Sequence, residues 1–448
     1  MAELAMRSSR SKIYRGRNAA LAAAAFAVLG ARSAHAQENV FSGRAFTDFY
    51  LPMLDSTANT MRQSSASFWL EAQPKLGERS QASVVLLANV FDTSVNQTST
   101  APRLETSVRE ANASYVNAGF ELRMGKMIVP WGKTDGVNPT DVLTAKDYSF
   151  LNPDDEVRRL GHTSLLVQWT PKGGVSPLTL TGVFTPVAPQ TKLLLNSASM
   201  PSAGGGYSFS TTAVAPSFTW DNAELAARAA LAFSGWDMSV MAFRGRNHFP
   251  EFEISGTVIQ PTYHRLSVVG GDFSFNVGKW VFRGEAAYLM TENADGTNPL
   301  IQPPRVDVVI GIERPIGDDF RVQVQGLARY HTRFQAPSTF IGSDVATTIV
   351  GRQVAATNAL LLNYQEQWRP GATFRLGYSR ESAGVDADLF LTGYLVGGDY
   401  LVRPRFTYAW TDALKSTLGV DYYGGPRDRP LGQLWAFNSV FVEMKYTF

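Results

Sequence analysis

The chain ends in the stretch 438–448, NSVFVEMKYTF, and this stretch decides the class of fold. From Val440 onward the even-numbered residues are apolar, whereas Glu443 and Lys445 between them are charged. Side chains that alternate with a period of two are typical of a β-strand with one apolar and one polar face. The segment therefore predicts a strand at the C-terminus.

The same alternation recurs along most of the chain, for example over 120–124, 282–290, 321–331 and 402–410. After residue 36 there is no run of about twenty apolar residues, which a membrane-spanning helix requires. Segments of ten or more residues with helical spacing are almost absent. The sequence contains no cysteine, which excludes disulfide scaffolds and thiolate chemistry. An all-β protein is the fold class that remains.

The first 36 residues differ from the rest. They contain six basic residues and one acidic residue, an apolar run over 19–31, and the ending Ala34-His35-Ala36. A basic segment, a short apolar segment and a small-x-small motif are typical of a cleaved signal peptide. We predict a signal peptide over 1–36 and one mature domain over 37–448, whose formal charge is −3 rather than the +2 of the full chain.

Connections between the predicted strands alternate between short and long. Eight short turns, from 77–81 to 411–413, alternate with nine longer connections, among them 130–162, 187–224 and 332–360. Short periplasmic turns and long outside loops are typical of a transmembrane barrel. Seventeen connections predict an antiparallel up-and-down β-barrel of 18 strands, within a range of 16 to 20, with both termini periplasmic. In this count 368–371 is an irregularity within one long strand, with Pro370 outside the regular ladder.

Two groups of residues carry a resemblance to known proteins. The ending 442–448, with Tyr446 and a terminal Phe448, resembles the C-terminal signal by which bacterial outer-membrane barrels are recognised for assembly. The segments RMGK (123–126), PWGKTDG (130–136) and NPTD (138–141) are similar to a pattern in porin-like outer-membrane β-barrels of Gram-negative bacteria. This resemblance implies location in the outer membrane, and it implies outer-membrane lipid and the barrel assembly machinery as partners. It leaves open a barrel associated with polysaccharide export.

The long outside loop predicted at 130–162 is the candidate constriction of a pore. Gly132, Gly136 and Pro139 favour tight turns within it. Its charged candidates are Lys133, Asp135, Asp141, Asp147, Asp154, Asp155, Arg158 and Arg159. Folded inward, such a loop narrows the pore and selects solutes by charge; outside the barrel, its aspartates only cap turns. A calcium site at 154–156 is a further alternative, because carboxylate oxygens suit that ion.

Polar residues on the inner face of the predicted strands are the candidates for lining the lumen. They are Arg123, Arg283, Glu285, Arg321, Arg329, Arg375, Arg403, Arg405, Asp421, Glu443 and Lys445. Because both signs of charge are present, we expect a hydrated wall without strong ion selectivity. The arginines of the late strands either form a basic ladder for anionic solutes or pair with Asp421 and Glu443 on neighbouring strands.

Two classes of function fit these observations. The first is a channel for hydrophilic molecules, either a diffusion porin or the exit pore for a secreted polysaccharide that works with a periplasmic export partner. A barrel of 16 to 18 strands leaves an aqueous channel unless it is plugged, and the predicted strands already begin near Phe41. The alternative is a structural barrel that anchors an envelope complex or holds another protein in its lumen.

Catalysis and nucleic-acid binding are not expected. The mature chain has four histidines, His162, His248, His264 and His331, without the spacing of metal ligands, and it has no Gly-x-Ser-x-Gly motif. A Ser-His-Asp site at the barrel rim, with His162 or His248, is the enzymatic alternative. No basic patch supports nucleic-acid binding. We predict neither a metal nor a cofactor.

Overall fold

The computed structural model describes residues 41–53, 61–95, 98–99, 103–152, 154–193, 206–210 and 217–448. The predicted signal peptide over 1–36 lies outside the described residues.

Long strands dominate the described chain, because runs of alternating polar and apolar residues cover most of it. We number the long strands in chain order. They are β1 (Phe41–Pro52), β2 (Met61–Ala72), β3 (Ser80–Val95), β4 (Arg103–Asn117), β5 (Phe120–Met127), β6 (His162–Trp169), β7 (Leu178–Thr185), β8 (Glu224–Phe233), β9 (Trp236–Arg246), β10 (Arg265–Val277), β11 (Trp280–Thr291), β12 (Arg305–Ile316), β13 (Phe320–His331), β14 (Trp368–Arg380), β15 (Val385–Tyr394), β16 (Tyr400–Ala409), β17 (Leu414–Gly424) and β18 (Ser439–Thr447).

These eighteen strands form one closed antiparallel barrel. Each strand pairs with the next along the chain, and β18 pairs back onto β1 in the register Arg44↔Thr447 to Pro52↔Ser439. Closure leaves no strand edge unpaired, which is what a barrel in lipid requires. The predicted fold class and the strand number of 18 are confirmed.

Short turns lie at one end of the barrel and longer connections at the other. We call these the short-turn end and the long-loop end. All eight predicted short turns are present, and the connection predicted at 130–162 spans 128–161. The prediction for 368–371 is wrong: β14 begins at Trp368, and Pro370 lies within the ladder, paired with Ala328. The residues before Trp368 belong to a long connection.

The outer surface of the barrel is apolar. Leu225, Val240 and Ile310 are between 56% and 62% exposed, at strand positions that alternate with buried residues. The tryptophans at the short-turn end, including Trp236 and Trp280, are exposed as well. An apolar band with exposed aromatic residues at the strand ends is the surface that a lipid bilayer covers.

Helix α1 (Val345–Leu362), in the connection between β13 and β14, is the main element that the alternation did not predict. The Asp344 carboxylate caps it by accepting the Thr347 N–H. The helix is long and apolar enough to cross a membrane, but its buried face packs against Phe252, Ile259 and Leu300 of neighbouring loops.

The other short elements also lie mostly in connections. One small sheet contains the short strands Ala145–Tyr148, Arg159–Leu160 and Lys192–Leu193. A second small sheet contains Ser208–Phe209, Glu251–Ser255 and Val258–Thr262. Thr98–Ser99 pairs with the end of β3. Short helical turns are at Asp155–Arg158, Pro171–Gly174, Pro337–Thr339, Glu381–Ala383 and Gly432–Phe437.

Candidate functional site

The connection 128–161 folds into the barrel, where the Glu285 side chain of β11 holds it. Glu285 is 2% exposed and accepts six hydrogen bonds from the loop. The donors are Lys133 N–H (2.5 Å), Thr134 N–H (2.6 Å), Thr134 Oγ1 (2.7 Å), Thr140 N–H (3.2 Å), Thr140 Oγ1 (2.9 Å) and Asn138 Nδ2 (3.4 Å). An ionised carboxylate only accepts hydrogen bonds, so it matches this set of donors.

The loop reaches Glu285 because glycine allows a close approach. Gly132 has φ +102°, and a Cβ there would lie 2.9 Å from a Glu285 carboxylate oxygen. Gly136 has φ +79° and turns the chain at the loop tip, against the Phe390 ring of β15. Both conformations lie in the left-handed region that favours glycine.

Apolar residues of the loop cover the inner wall of β6–β11. Val129, Trp131 and Leu143 are buried against it. Their partners on the wall are Leu166, Val183, Ala226, Met241, Phe243, Leu266, Val268, Ala287 and Leu289. This half of the interior is therefore a hydrophobic core rather than a hydrated lumen.

The returning part of the loop packs on the inner wall of β1–β4. Val157 is buried against Phe46 and Trp69. Arg109 of β4, which is 6% exposed, donates to the Glu156 carbonyl (2.7 Å) and to the Arg159 carbonyl (2.8 Å). The loop is thus attached to both sides of the barrel.

The loop tip carries charges that meet charges on two sides of the barrel wall. The Asp135 carboxylate pairs with the Arg375 guanidinium of β14, which also bonds Asp388 of β15 (2.6 Å). The Lys133 ammonium pairs with Asp237 and lies 3.3 Å from Asp272. Lys133 therefore binds the β9–β10 side of the wall, and Asp135 binds the β14 side.

The other predicted loop residues have local partners. The Asp141 carboxylate accepts from Thr144 Oγ1 (2.7 Å), and Asp147 pairs with Lys192 (3.0 Å). The Arg158 guanidinium bonds the Asn152 carbonyl. Asp141 and Arg158 hold the loop's own shape, and Asp147 links the loop to the connection between β7 and β8.

The carboxylates of the alternative calcium site are engaged in the same way. Asp155 pairs with Lys146 (3.1 Å) and lies 3.7 Å from Arg159. Glu156 pairs with Arg44 (3.0 Å), and Asp154 accepts the Glu156 N–H and faces Lys445. Among the described residues, no group of histidine, aspartate or glutamate is arranged to hold a metal.

Most predicted lumen residues lie in ion pairs between neighbouring strands. The pairs between strands are Arg283–Glu313 (2.5 Å), Arg321–Glu313 (3.4 Å), Arg329–Asp307 (2.7 Å) and Arg403–Asp421 (2.5 Å). Arg123 pairs with Glu121 of its own strand (2.6 Å). Glu443 lies opposite Asp48 in the β1–β18 register, and Arg405 lies opposite Asp388. The geometry favours the ion-pair alternative over a free basic ladder.

Sequence reasoning missed several contributors, among them Arg109, Asp272 and Asp388. In the β15 segment VDADLFLTGY, aspartates and apolar residues share one face, so the alternation is hidden. The walls that the loop covers are apolar on both faces, for example Leu165-Leu166-Val167 and Val268-Val269. A strand that is apolar on both faces indicates, from sequence alone, that another part of the protein covers its inner face.

The two rim histidines are buried within polar clusters. His162 Nδ1 lies 2.7 Å from Ser164 Oγ, and His248 Nε2 lies 3.0 Å from Glu224 Oε1. All four residues are at most 7% exposed. The Ser164 hydroxyl is therefore buried away from solvent, with Thr185 Oγ1 2.7 Å from it.

Solved structures of porins share this fold. They include Pseudomonas aeruginosa OpdK with vanillate, with a TM-score of 0.51 and 10% sequence identity; the alignment covers 91% of this chain and 98% of that chain. P. aeruginosa OccK7 has a TM-score of 0.51 and 8% identity, and the alignment covers 91% of this chain and 97% of that chain. Acinetobacter baumannii OccAB4 is similar too, with a TM-score of 0.50, 9% identity, and coverage of 91% of this chain and 97% of that chain. A scan against protein-family models finds no match, and neither does a search of curated proteins. The likeness shows the fold alone; the apolar outer surface of the closed barrel fits the predicted location in an outer membrane.

Proposed function

We propose that the protein is a passive channel for small hydrophilic solutes, narrowed by the connection 128–161. The observation that carries the proposal is the attachment of this loop to Glu285 inside a closed 18-stranded barrel. A barrel of this size leaves an aqueous path unless something fills it. The loop fills the β6–β11 side and leaves polar, charged walls on the β12–β18 side.

The size of the path favours small molecules. Cavities of about 260 Å³ and 430 Å³ lie on either side of the loop tip. A polysaccharide exit pore that works with a periplasmic partner has no specific observation in its favour. Holding another protein in the lumen is disfavoured, because the protein's own loop occupies part of the interior. Anchoring an envelope complex has no specific observation in its favour.

Single-channel recording in planar bilayers tests the proposal. We expect a stable open conductance that increases when residues 133–139 are replaced by a short Gly-Ser linker. Replacing the turn residues 411–413 by the same linker is the control, because that turn borders neither cavity. A barrel that assembles but stays silent in both forms would overturn the channel.

A further inference from the structure

The seam, where β1 pairs with β18 and closes the barrel, places two acidic side chains opposite each other. Asp48 of β1 is in register with Glu443 of β18. Asp48 is 0% exposed and Glu443 is 8% exposed, so both lie on the inner face and out of contact with most water. Like charges directly opposite each other destabilise a pair of strands, and burial strengthens their repulsion. Two ionised carboxylates are therefore not expected at this position.

The two oxygens of the Asp48 carboxyl group have different surroundings. Oδ2 accepts hydrogen bonds from Ser65 Oγ (3.0 Å) and from Asn152 Nδ2 of the connection 128–161 (3.2 Å). Oδ1 is buried and accepts no hydrogen bond from any donor in the described part of the chain. Leaving an oxygen of an ionised carboxylate buried without a donor is costly.

The carboxyl groups of Asp48 and Glu443 are in hydrogen-bonding contact with each other. An ionised carboxylate only accepts hydrogen bonds, whereas a protonated carboxyl group has one O–H donor. A hydrogen bond between two carboxyl groups therefore requires that one of them carries a proton. Two acids that are this close share a proton because they cannot both ionise cheaply.

Neighbouring groups indicate which carboxyl group carries the proton. Two cations, Lys445 of β18 and Arg405 of β16, interact with Glu443. A nearby cation favours the ionised form of a carboxyl group. Asp48 is the more deeply buried of the two acids, and its Oδ1 is the oxygen that lacks a donor. These observations place the proton on Asp48 and the negative charge on Glu443.

The other charged or titratable groups around the pair do not take the place of this proton. They are Tyr50, Asp154, Arg158, Arg403 and Asp421. Asp154 lies 3.4 Å from Lys445, Arg158 bonds the Asn152 carbonyl, and Arg403 pairs with Asp421. The adjacent strands β2 and β17 place the uncharged Ser65 and Thr417 opposite the two acids.

We propose that Asp48 and Glu443 form a proton-binding site at the seam, in which Asp48 carries the proton on Oδ1 and donates it in a hydrogen bond to the ionised Glu443. The bound proton replaces a repulsion between the first and last strands by a hydrogen bond. Because Asn152 donates to the same carboxyl group, the connection 128–161 is attached at this site as well. The inference does not depend on the proposed channel function.

Proton binding at the seam makes closure of the barrel depend on pH. In the unfolded chain both carboxyl groups are ionised at neutral pH, whereas the closed barrel binds one proton between them. Where the folded state binds more protons than the unfolded state, the free energy of unfolding falls as the pH rises. We therefore expect the seam to be weaker in alkaline solution, once the site has lost its proton.

Infrared difference spectroscopy of the purified barrel in detergent tests the assignment, because protonated and ionised carboxyl groups absorb in different bands. Asp48→Asn is nearly isosteric, since its amide oxygen accepts from Ser65 and Asn152 and its amide nitrogen donates to Glu443. The spectrum of the wild type minus Asp48→Asn at neutral pH should contain the band of a protonated carboxyl group. The wild type minus Glu443→Gln should contain carboxylate bands. Carboxylate bands in the first spectrum, or a protonated band in the second, would overturn the proposal.

The pH dependence of unfolding tests the consequence. The unfolding rate of the wild-type barrel, followed by the loss of heat-modifiable migration, should increase at least about tenfold between about pH 6 and pH 10. The increase should be at least about fivefold smaller in Asp48→Asn, because the amide does not titrate. Glu443→Gln removes the repulsion from the other strand, so it should lose the dependence as well, and it replaces Asp48→Asn if that variant does not assemble.

Asp421→Asn is the matched control for these variants. Asp421 is a buried carboxylate of β17, but its partner is the Arg403 guanidinium rather than a second acid. This variant should unfold faster than the wild type at every pH and keep the pH dependence of the wild type. If Asp48→Asn and Glu443→Gln keep that dependence too, the proton-binding site is wrong.

Discussion

Glu285 is the residue on which the shape of the lumen depends. It belongs to the wall, but all six of its hydrogen bonds go to residues of the loop. The donors are largely buried, so removing the acceptor would leave several of them without a partner. A buried donor without a partner costs about 1–3 kcal/mol.

Glu285→Ala should therefore release the loop tip from the wall. We expect a larger and noisier single-channel conductance, with a gain of about twofold, and a loss of about 3 kcal/mol or more in the stability of the inward-folded loop. Glu285→Gln should have a smaller effect, since the amide keeps one acceptor oxygen.

Glu121→Ala is the control for this change. Glu121 also lies on the wall, but its side chain pairs with Arg123 rather than with the loop. An unchanged conductance in Glu285→Ala would show that the loop is held by its apolar packing alone.

Glu251, in the connection between β9 and β10, is a residue with a pH-dependent role. Its Oε1 accepts the Gln302 N–H (2.7 Å), and its Oε2 lies 3.8 Å from His264 Nε2. Burial raises the pKa of Glu251 from 4.5 to about 7. The loops packed around Glu251 therefore favour its neutral, protonated form. The stability of these loops is greatest below about pH 4.5 and falls as the pH rises through 7.

Hydrogen exchange at 251–262 and 298–302, corrected for intrinsic rates, measures this effect. Local opening should increase up to about a hundredfold between pH 5 and pH 8. Glu251→Gln should remove this dependence, because the amide oxygen still accepts the Gln302 N–H and does not titrate. Persistence of the dependence in Glu251→Gln would assign it to another group.

At the scale of elements, the long connections behave as packed structures rather than free loops. The connection 128–161 has an apolar side that needs a wall, and helix α1 has an apolar side that needs the neighbouring loops. Asn358 of the helix is fully buried; it accepts the Phe252 N–H (2.8 Å) and donates to the Phe252 and Leu300 carbonyls (2.9 and 2.8 Å).

Asn358→Ala should detach helix α1 from these two loops while leaving the barrel intact. Three backbone groups lose their partner, at a cost of about 2–3 kcal/mol. We expect faster proteolysis within 332–367 and unchanged heat-modifiable migration of the barrel. Thr357→Ala is the control, since its hydroxyl bonds Gln353 within the helix; equal proteolysis of both variants would contradict the role of Asn358.

At the scale of the whole molecule, closure joins the first and last strands. Phe448 extends this seam: its N–H donates to the Gly43 carbonyl (3.0 Å), its carbonyl accepts the Gly43 N–H (2.9 Å), and its ring stacks on Phe68. The backbone bonds do not need an aromatic side chain. The conformation of the seam and its proposed recognition during assembly are therefore separable.

Phe448→Ala should reduce the amount of barrel assembled in cells several-fold, whereas the refolded variant should keep its heat-modifiable migration. Comparing outer-membrane fractions with refolding in detergent measures both. Met444→Ala, an outward-facing change in the same strand, should assemble normally. Equal assembly of the two variants would contradict an assembly signal that includes Phe448 and Tyr446.

The fold was predictable because its signal is local. Alternation in segments such as 438–448 and 321–331 reports one face in lipid and one away from it, and turn spacing gave the strand count. Helix α1 and the start of β14 were missed because no alternation marks them. The apolar residues of helix α1 form a buried face only because other loops pack against them, and those loops are distant in sequence.

What the sequence by itself determined is the closed 18-stranded barrel and the presence of a charged, turn-rich connection at 130–162. Only the tertiary structure decided where that connection goes, because Glu285 and Gly132 are about 150 residues apart and meet only after the barrel closes. Strand formation depends on neighbours along the chain, whereas the shape and charge of the lumen depend on contacts between distant segments.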